Sequence, residues 1–415
     1  MMYKNAAASA LALLLSLTGT SALPTLPSIK LSPDDPVLHS PTVYDAIVVG
    51  GGPAGLAALS GLARVRRNVL LLDSGEYRND PTRHMHDVLG FDGVTPAYFR
   101  WAARKQLSYY ETVSMTNATV TNIEAADNGT FTVTAKYDIG EAEEATVHAR
   151  KIVLATGLRD ILPATPGVME NWGKGIYWCP WCDGNEHANQ TLGLLCDMTE
   201  APGMFREIST LNNDVIAFVN GTLTAETYAA TEEKFPHWEQ YLALNNVTIE
   251  NRTIASVNRL KDGGAEHHDP SLPTAPEYDL FRVDFTEGPP VERAAFFASF
   301  PNTQKSDVGQ QMGVTLYGDR LEANQGKGLV TNVPGVYAVG DANSDNVTNV
   351  PHALFSGKRT AVYLHVQLAR EESAAEIAAN STDIAERSFD LDPTEVWGEM
   401  NGGKRDMLDA GDFDE

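Results

Sequence analysis

Two cysteines three residues apart, Cys179 and Cys182, are the residues of this 415-residue chain best suited to chemistry. Thiols at this spacing close a small ring that is readily oxidised and reduced. A thiolate is the nucleophile in disulfide exchange and a good electron donor. Asp183 follows at once and offers a carboxyl for proton movement. A structural disulfide or a metal site is the plainer alternative. Zinc would need two further ligands, and the third cysteine, Cys196, lies 14 residues on without a matching pair. No metal site is expected. A chain with three cysteines is not built as a disulfide scaffold, so the pair reads as a reagent.

A second constellation is Gly50-Gly51-Gly52-Pro53-Ala54-Gly55, a Gly-x-Gly-x-x-Gly triplet. The first glycine permits a tight turn, the second admits a pyrophosphate to the backbone, and the third lets helix pack on strand. The helix N-terminus then faces the anion. Asp73, 23 residues after Gly50, can accept hydrogen bonds from a ribose. A lone triplet could be an ordinary turn. Here residues 44–49 and 68–73 read as buried strands around an Ala/Leu-rich helix ending near Arg64, so dinucleotide binding is the better reading. Far downstream, a strand over 335–341 ends in Gly340-Asp341, which puts a carboxylate where a ribityl chain or pyrophosphate passes. The helix after it starts near Asn349-Val350-Pro351-His352, and its partly positive end would stabilise charge on a reduced flavin. With Ala155-Thr156-Gly157 closing another strand, these features favour FAD over NAD.

The elements that carry these residues form an α/β protein of two Rossmann-like domains, the first interrupted by the second. The expected division is a signal peptide over 1–22, a leader over 23–42, FAD-binding segments over 43–160 and 296–371, an inserted domain over 161–295, and an acidic extension over 372–415. An antiparallel meander is expected between about 113 and 149, a loop-rich stretch over 258–292 and a helix over about 351–369. Lys4, the apolar run 10–15 and Thr20-Ser21-Ala22 have the order of a secretory signal, cleaved near Ala22. Sequons at Asn117, Asn128, Asn189, Asn220, Asn246, Asn251, Asn346 and Asn380 fit an exported glycoprotein. Hydrophobic residues make up 43% and charged residues 21%, a globular mixture. The formal net charge of −24 disfavours nucleic acid and anionic membranes as partners.

The motifs at 50–55, 155–157, 179–183 and 340–341, in this order and spacing, resemble the low-molecular-weight thioredoxin reductase family of flavoproteins over about residues 43–370. The resemblance implies that Cys182 lies against the flavin, that Cys179 exchanges with substrate and that Asp183 transfers protons. It also implies a flavin-covering loop around His86 and a homodimer. The chain departs from that family in the inserted domain. A reductase carries a second glycine triplet and basic residues for NADPH; here the strand 192–195 runs into Cys196-Asp197-Met198-Thr199-Glu200-Ala201-Pro202-Gly203. Two carboxylates and a proline stand where amides should meet a pyrophosphate. The pattern resembles secreted fungal sulfhydryl oxidases, glutathione oxidases among them, and the related dithiol oxidases of fungal metabolite pathways. It implies small-molecule thiols as electron donors and dioxygen as acceptor, with hydrogen peroxide formed. The alternatives are a metabolite dithiol oxidase, an NADPH-dependent disulfide reductase and a non-catalytic flavin-binding redox sensor.

Among the histidines, His352 at the helix start is the candidate base, against a capping role. His86 is a candidate cofactor contact, His187 a candidate tuner of the cysteines, and His267-His268 reads as solvated. Trp178 and Trp181 bracket the thiols, either as an apolar mouth or as packing. Cys196 reads as a buried core residue.

Overall fold

The computed structural model describes residues 43–137, 143–265 and 275–380. The expected signal peptide and leader, His267-His268 and the extension beyond 380 lie outside the described residues.

The first domain opens with β1 (Val43–Val49), α1 (Pro53–Arg64) and β2 (Val69–Asp73). Strands covered on both faces need near-continuous apolar runs, and β1 and β2 pair in parallel with Val48 opposite Leu71. Next come α2 (Pro96–Leu107), β3 (Val113–Ala125), β4 (Phe131–Tyr137) and β5 (Glu143–Leu154). β3 and β5 are long enough to serve twice. The start of β3 extends the parallel sheet beside β2, and the end of β5 lies against β1 with Val153 beside Val48. Their other halves flank β4 as an antiparallel meander, with Thr134 opposite Asn122 and Thr146.

The chain leaves through β6 (Leu158–Asp160) into β7 (Ile176–Tyr177), α3 (Pro180–Asp183), β8 (Leu192–Leu195), α4 (Ala201–Ile208), β9 (Val215–Phe218) and β10 (Thr248–Glu250). β11 (Ile254–Lys261), β12 (Leu280–Phe285) and β13 (Val291–Arg293) form a separate antiparallel sheet. The stretch expected to be loop-rich keeps long connections, yet it also carries these strands. Its signal is the alternation of Phe281, Val283 and Phe285 inward, masked in sequence by neighbouring glycines and prolines. β14 (Ala295–Ala298) completes the parallel order β10-β9-β8-β14-β7, so the inserted domain runs a few residues past 295. β15 (Asn302–Gln304) returns antiparallel to β6, with Thr303 opposite Arg159. β16 (Val336–Ala338) adds to the edge of β5.

α5 (Val350–Asn380) packs on α1 so closely that a Cβ at Gly61 would strike Ala361, and one at Gly357 the Ala54 carbonyl. The helix outruns its expected end because Glu371 and Glu372 still find partners: Lys151 meets Glu371 and Arg67 meets Glu372, both at 2.5 Å.

The loop between β2 and α2 ties the two domains together. Arg78 grips Asp160 on β6 through two hydrogen bonds of 3.0 and 2.7 Å and donates to Asp341 at 3.1 Å. Arg83 bonds Asp279 at 2.8 and 3.0 Å, Asp262 at 2.6 Å, and Glu277. Asp279 and Glu277 are buried, so their charges depend on that guanidinium. Arg83→Ala should therefore lower unfolding stability by about 3–5 kcal/mol in denaturant titration. An unchanged midpoint would mean that other groups neutralise the pair.

Candidate active site

A cavity of about 500 Å³ opens at the carboxyl ends of β1 and β2, the place where open α/β sheets bind ligands. Gly50, Gly52, Pro53 and Ala54 line it at one end, with Asp73, Thr156 and Gly157. Gly340, Asp341, Asn349 and Val350 line another side, and Cys182, Asp183 and His86 complete the wall. Gly55 stands behind, packed on the Gly50 carbonyl.

These residues suit FAD. Gly50 has φ +108°, and a Cβ there would collide with the Ala155 carbonyl, so the turn requires glycine. A Cβ at Gly52 would meet open space, room for a pyrophosphate to approach the backbone. No side chain caps α1, which leaves its first-turn amides to an anion. Thr156 Oγ1 and His86 Nδ1 are buried on the cavity wall without hydrogen-bond partners. Asp73 is held by Tyr77 at 2.6 Å, Arg104 at 2.8 Å and the Gly75 amide at 3.1 Å, which fixes its carboxylate at the cavity edge. Burial raises the pKa of Asp341, and Arg78 opposes the shift.

Cys179 and Cys182 are joined as a disulfide at the start of α3. Cys182 lines the cavity, whereas Cys179 lies outside it. Cys179 is the N-cap, and its Sγ accepts a hydrogen bond from the Cys182 amide at 3.1 Å. That amide would stabilise a thiolate on Cys179 once the bond is opened. Asp183 is buried; desolvation first, then the charges of Glu277 and Glu186, push its pKa well above the usual carboxylate range. The shift favours the protonated form, which suits Asp183 to giving up a proton.

The structure relocates several histidines. His352 does not line the cavity: its Nε2 pairs with Asp345 at 2.7 Å, while its amide is capped by Asn349. The expected base beside the flavin is thus held by a carboxylate whose side chain is largely enclosed, away from the cavity lining. His86 lines the cavity and stands 3.6 Å from both Glu186 and Asp92. His187 is fully buried against the Tyr177 ring at 5.1 Å, and burial lowers its pKa. Arg78, Arg83 and Arg104 were not anticipated from the sequence. Their signal was a cluster of arginines just after Asp73 in an acidic chain.

The corresponding edge of the inserted sheet is different. A cavity of about 180 Å³ lies there, lined by Leu195, Phe218, Val219, Ile254 and Phe300. Among the described residues that line it, the one charged side chain is Asp197. Lys234 is drawn to Glu200 at 2.6 Å, and Arg252 to Glu250 at 2.7 Å. Burial, with Glu200 and Asp197 nearby, pushes the Cys196 thiol up to about 12.

Residues 44–192 match the family profile described as pyridine nucleotide-disulphide oxidoreductase. The chain is 47% identical to a probable thioredoxin reductase of Arthroderma benhamiae, over 86% of this chain and 88% of that one. It is 30% identical to thioredoxin reductase aclD of Aspergillus oryzae, over 80% and 98%. Its fold superposes on the crystal structure of HlmI with a TM-score of 0.65 and 28% identity, covering 81% of this chain and 96% of that one.

If Asp183 donates the proton, exchange at the disulfide is fast while Asp183 is protonated and is lost as pH rises through its raised pKa. Asp183→Asn should flatten that alkaline limb and slow exchange with dithiothreitol by about 100-fold, followed by alkylation trapping across pH. A limb that survives the substitution would remove Asp183 from the role.

Proposed function

The chain belongs to the thioredoxin reductase-like pyridine nucleotide-disulphide oxidoreductases, FAD flavoenzymes, and from that premise we propose that it is a dithiol oxidase. In this reading a small-molecule dithiol is oxidised to its internal disulfide through Cys179 and Cys182, and dioxygen becomes hydrogen peroxide. The observation that carries it is the second cavity, whose charged wall is a carboxylate and not an arginine or lysine. A nicotinamide dinucleotide brings two phosphates, and among the described residues lining that cavity there is no lysine or arginine to receive them. In this reading electrons enter from thiols. The relatives bear the name thioredoxin reductase, which keeps the NADPH-dependent reductase as the rival. They lend the expected secreted glutathione oxidase no support of their own, and the dithiol form is preferred.

The residues would act as follows. A substrate thiolate attacks Cys179 Sγ and expels Cys182 as a thiolate facing the cavity. The second substrate sulfur then displaces Cys179, so the product disulfide leaves. Asp183 gives its proton to the departing Cys179 thiolate and takes one from the second substrate thiol. The dithiol has thus lost two electrons to the cysteine pair; one proton rests on Cys179 and one is released. FAD, held by residues 50–54, Gly157 and Asp341, supplies the capacity to accept that electron pair and pass it to dioxygen. Export is part of the proposal: Asn128, Asn189, Asn220 and Asn246 are exposed sequons.

Oxygen uptake by the purified flavoprotein distinguishes the readings. Dithiols should drive uptake, NADPH should not, and Cys179→Ser should abolish turnover while FAD stays bound. Bleaching of the flavin by NADPH would restore the reductase.

A further inference from the structure

The two tryptophans beside the cysteines have separate fates. Trp178 is packed: it stacks on Trp172 at 5.1 Å, and the Arg78 guanidinium lies 5.5 Å from its ring. Trp172 continues the stack to Phe300 at 5.6 Å. Packing therefore accounts for Trp178. Trp181 stands in α3 between the two sulfurs and is 70% exposed. Among the described residues no ring or cation stacks on it. It contributes little to any core, and what sets it apart from other exposed apolar side chains is its place between the two redox cysteines.

What could come to it there is set by the chemistry of its neighbours. Cys179 is the half-buried sulfur outside the flavin cavity, and Cys182 is the one on the cavity wall. A thiol that opens the disulfide from outside must therefore bring its carbon skeleton alongside α3. There it meets an indole face, an apolar surface with a preference for flat partners. Behind α3 lie the buried carboxyls of Glu186, Glu277 and Asp279, with Arg83 as the cation among them. Arg83 is already engaged by Glu277, Asp279 and Asp262. An anionic thiol would approach an acidic body without a cation of its own, whereas a neutral apolar one would not feel that repulsion.

We propose that Trp181 is the specificity-determining residue of this site, stacking on an uncharged ring that carries the substrate dithiol and so selecting it over glutathione. The inference rests on the dithiol oxidase reading and names its substrate class. No step is added to the reaction: Trp181 binds the skeleton while Cys179 exchanges with the sulfur.

The test compares kcat/KM for 1,2-bis(mercaptomethyl)benzene, a neutral aromatic dithiol, with that for glutathione. Trp181→Ala should lower the ratio of the two by about tenfold, the size of one lost aromatic contact. Trp181→Phe should hold the ratio within about twofold of the parent. Trp181→Lys should swing it towards glutathione. Retained flavin absorbance shows that each variant is folded. An equal ratio in the parent and Trp181→Ala would overturn the proposal. If the parent consumes no oxygen with either thiol, the oxidase reading fails by itself. The same ratio is then taken from opening of the Cys179–Cys182 bond, trapped by alkylation, and Trp181 stands or falls on that.

Discussion

A single guanidinium, that of Arg83, organises the charge of the region between the two domains. It reaches from the loop after β2 into a group of carboxyls on the inserted segment, two of them buried. Charges taken out of water persist when they are paired, and this pairing fixes the inserted domain against the flavin cavity. The position of α3 follows, and with it a cavity wall formed in part by Cys182. The same acids have a second effect. Glu277, tied to Arg83, also accepts a hydrogen bond from Tyr177 at 3.0 Å and repels charge on Asp183. The ion-pair network thus bears on the location of the disulfide, and through Glu277 it adds to the burial that raises the pKa of Asp183.

The two parallel sheets present comparable edges with opposite chemistry. After β1 the chain offers glycines, an uncapped helix start and room for a phosphate. After β8 it offers Cys196, Asp197 and Glu200, and the Asp197 carboxylate turns back to receive the Thr199 amide and hydroxyl at 2.9 Å. The inserted domain has a parallel sheet of its own, and the charged side chain lining its cavity among the described residues is Asp197. What it brings to the flavin cavity is the cysteine pair, with Cys182 on the cavity wall.

Much of this was legible in the sequence because it depends on local pattern. The glycine turn, the strands 44–49 and 68–73, the cysteine spacing and the acids of 196–200 are each written within a few residues. What was not legible depends on contacts between distant segments. His352 lies beside the flavin helix start in sequence, yet seven residues back Asp345 claims its ring. The arginines at 78 and 83 gain meaning only once Asp160, Asp279 and Asp341 are folded around them. The strands of 254–293 were hidden because glycine and proline between them outweighed a short alternation. Trp178 and Trp181 looked alike until packing told them apart.

The burial of Cys196 has a consequence for durability. A flavoenzyme that releases hydrogen peroxide exposes its own sulfur to the oxidant with every cycle. Peroxide attacks thiolates, climbing from sulfenic towards irreversible sulfinic and sulfonic acids. Cys196 is the one thiol outside the redox pair, and with its pKa near 12 and its side chain enclosed it holds almost no thiolate at neutral pH. Under the proposed dioxygen chemistry, this enclosed thiol would stay off the oxidation ladder while the redox pair meets the oxidant.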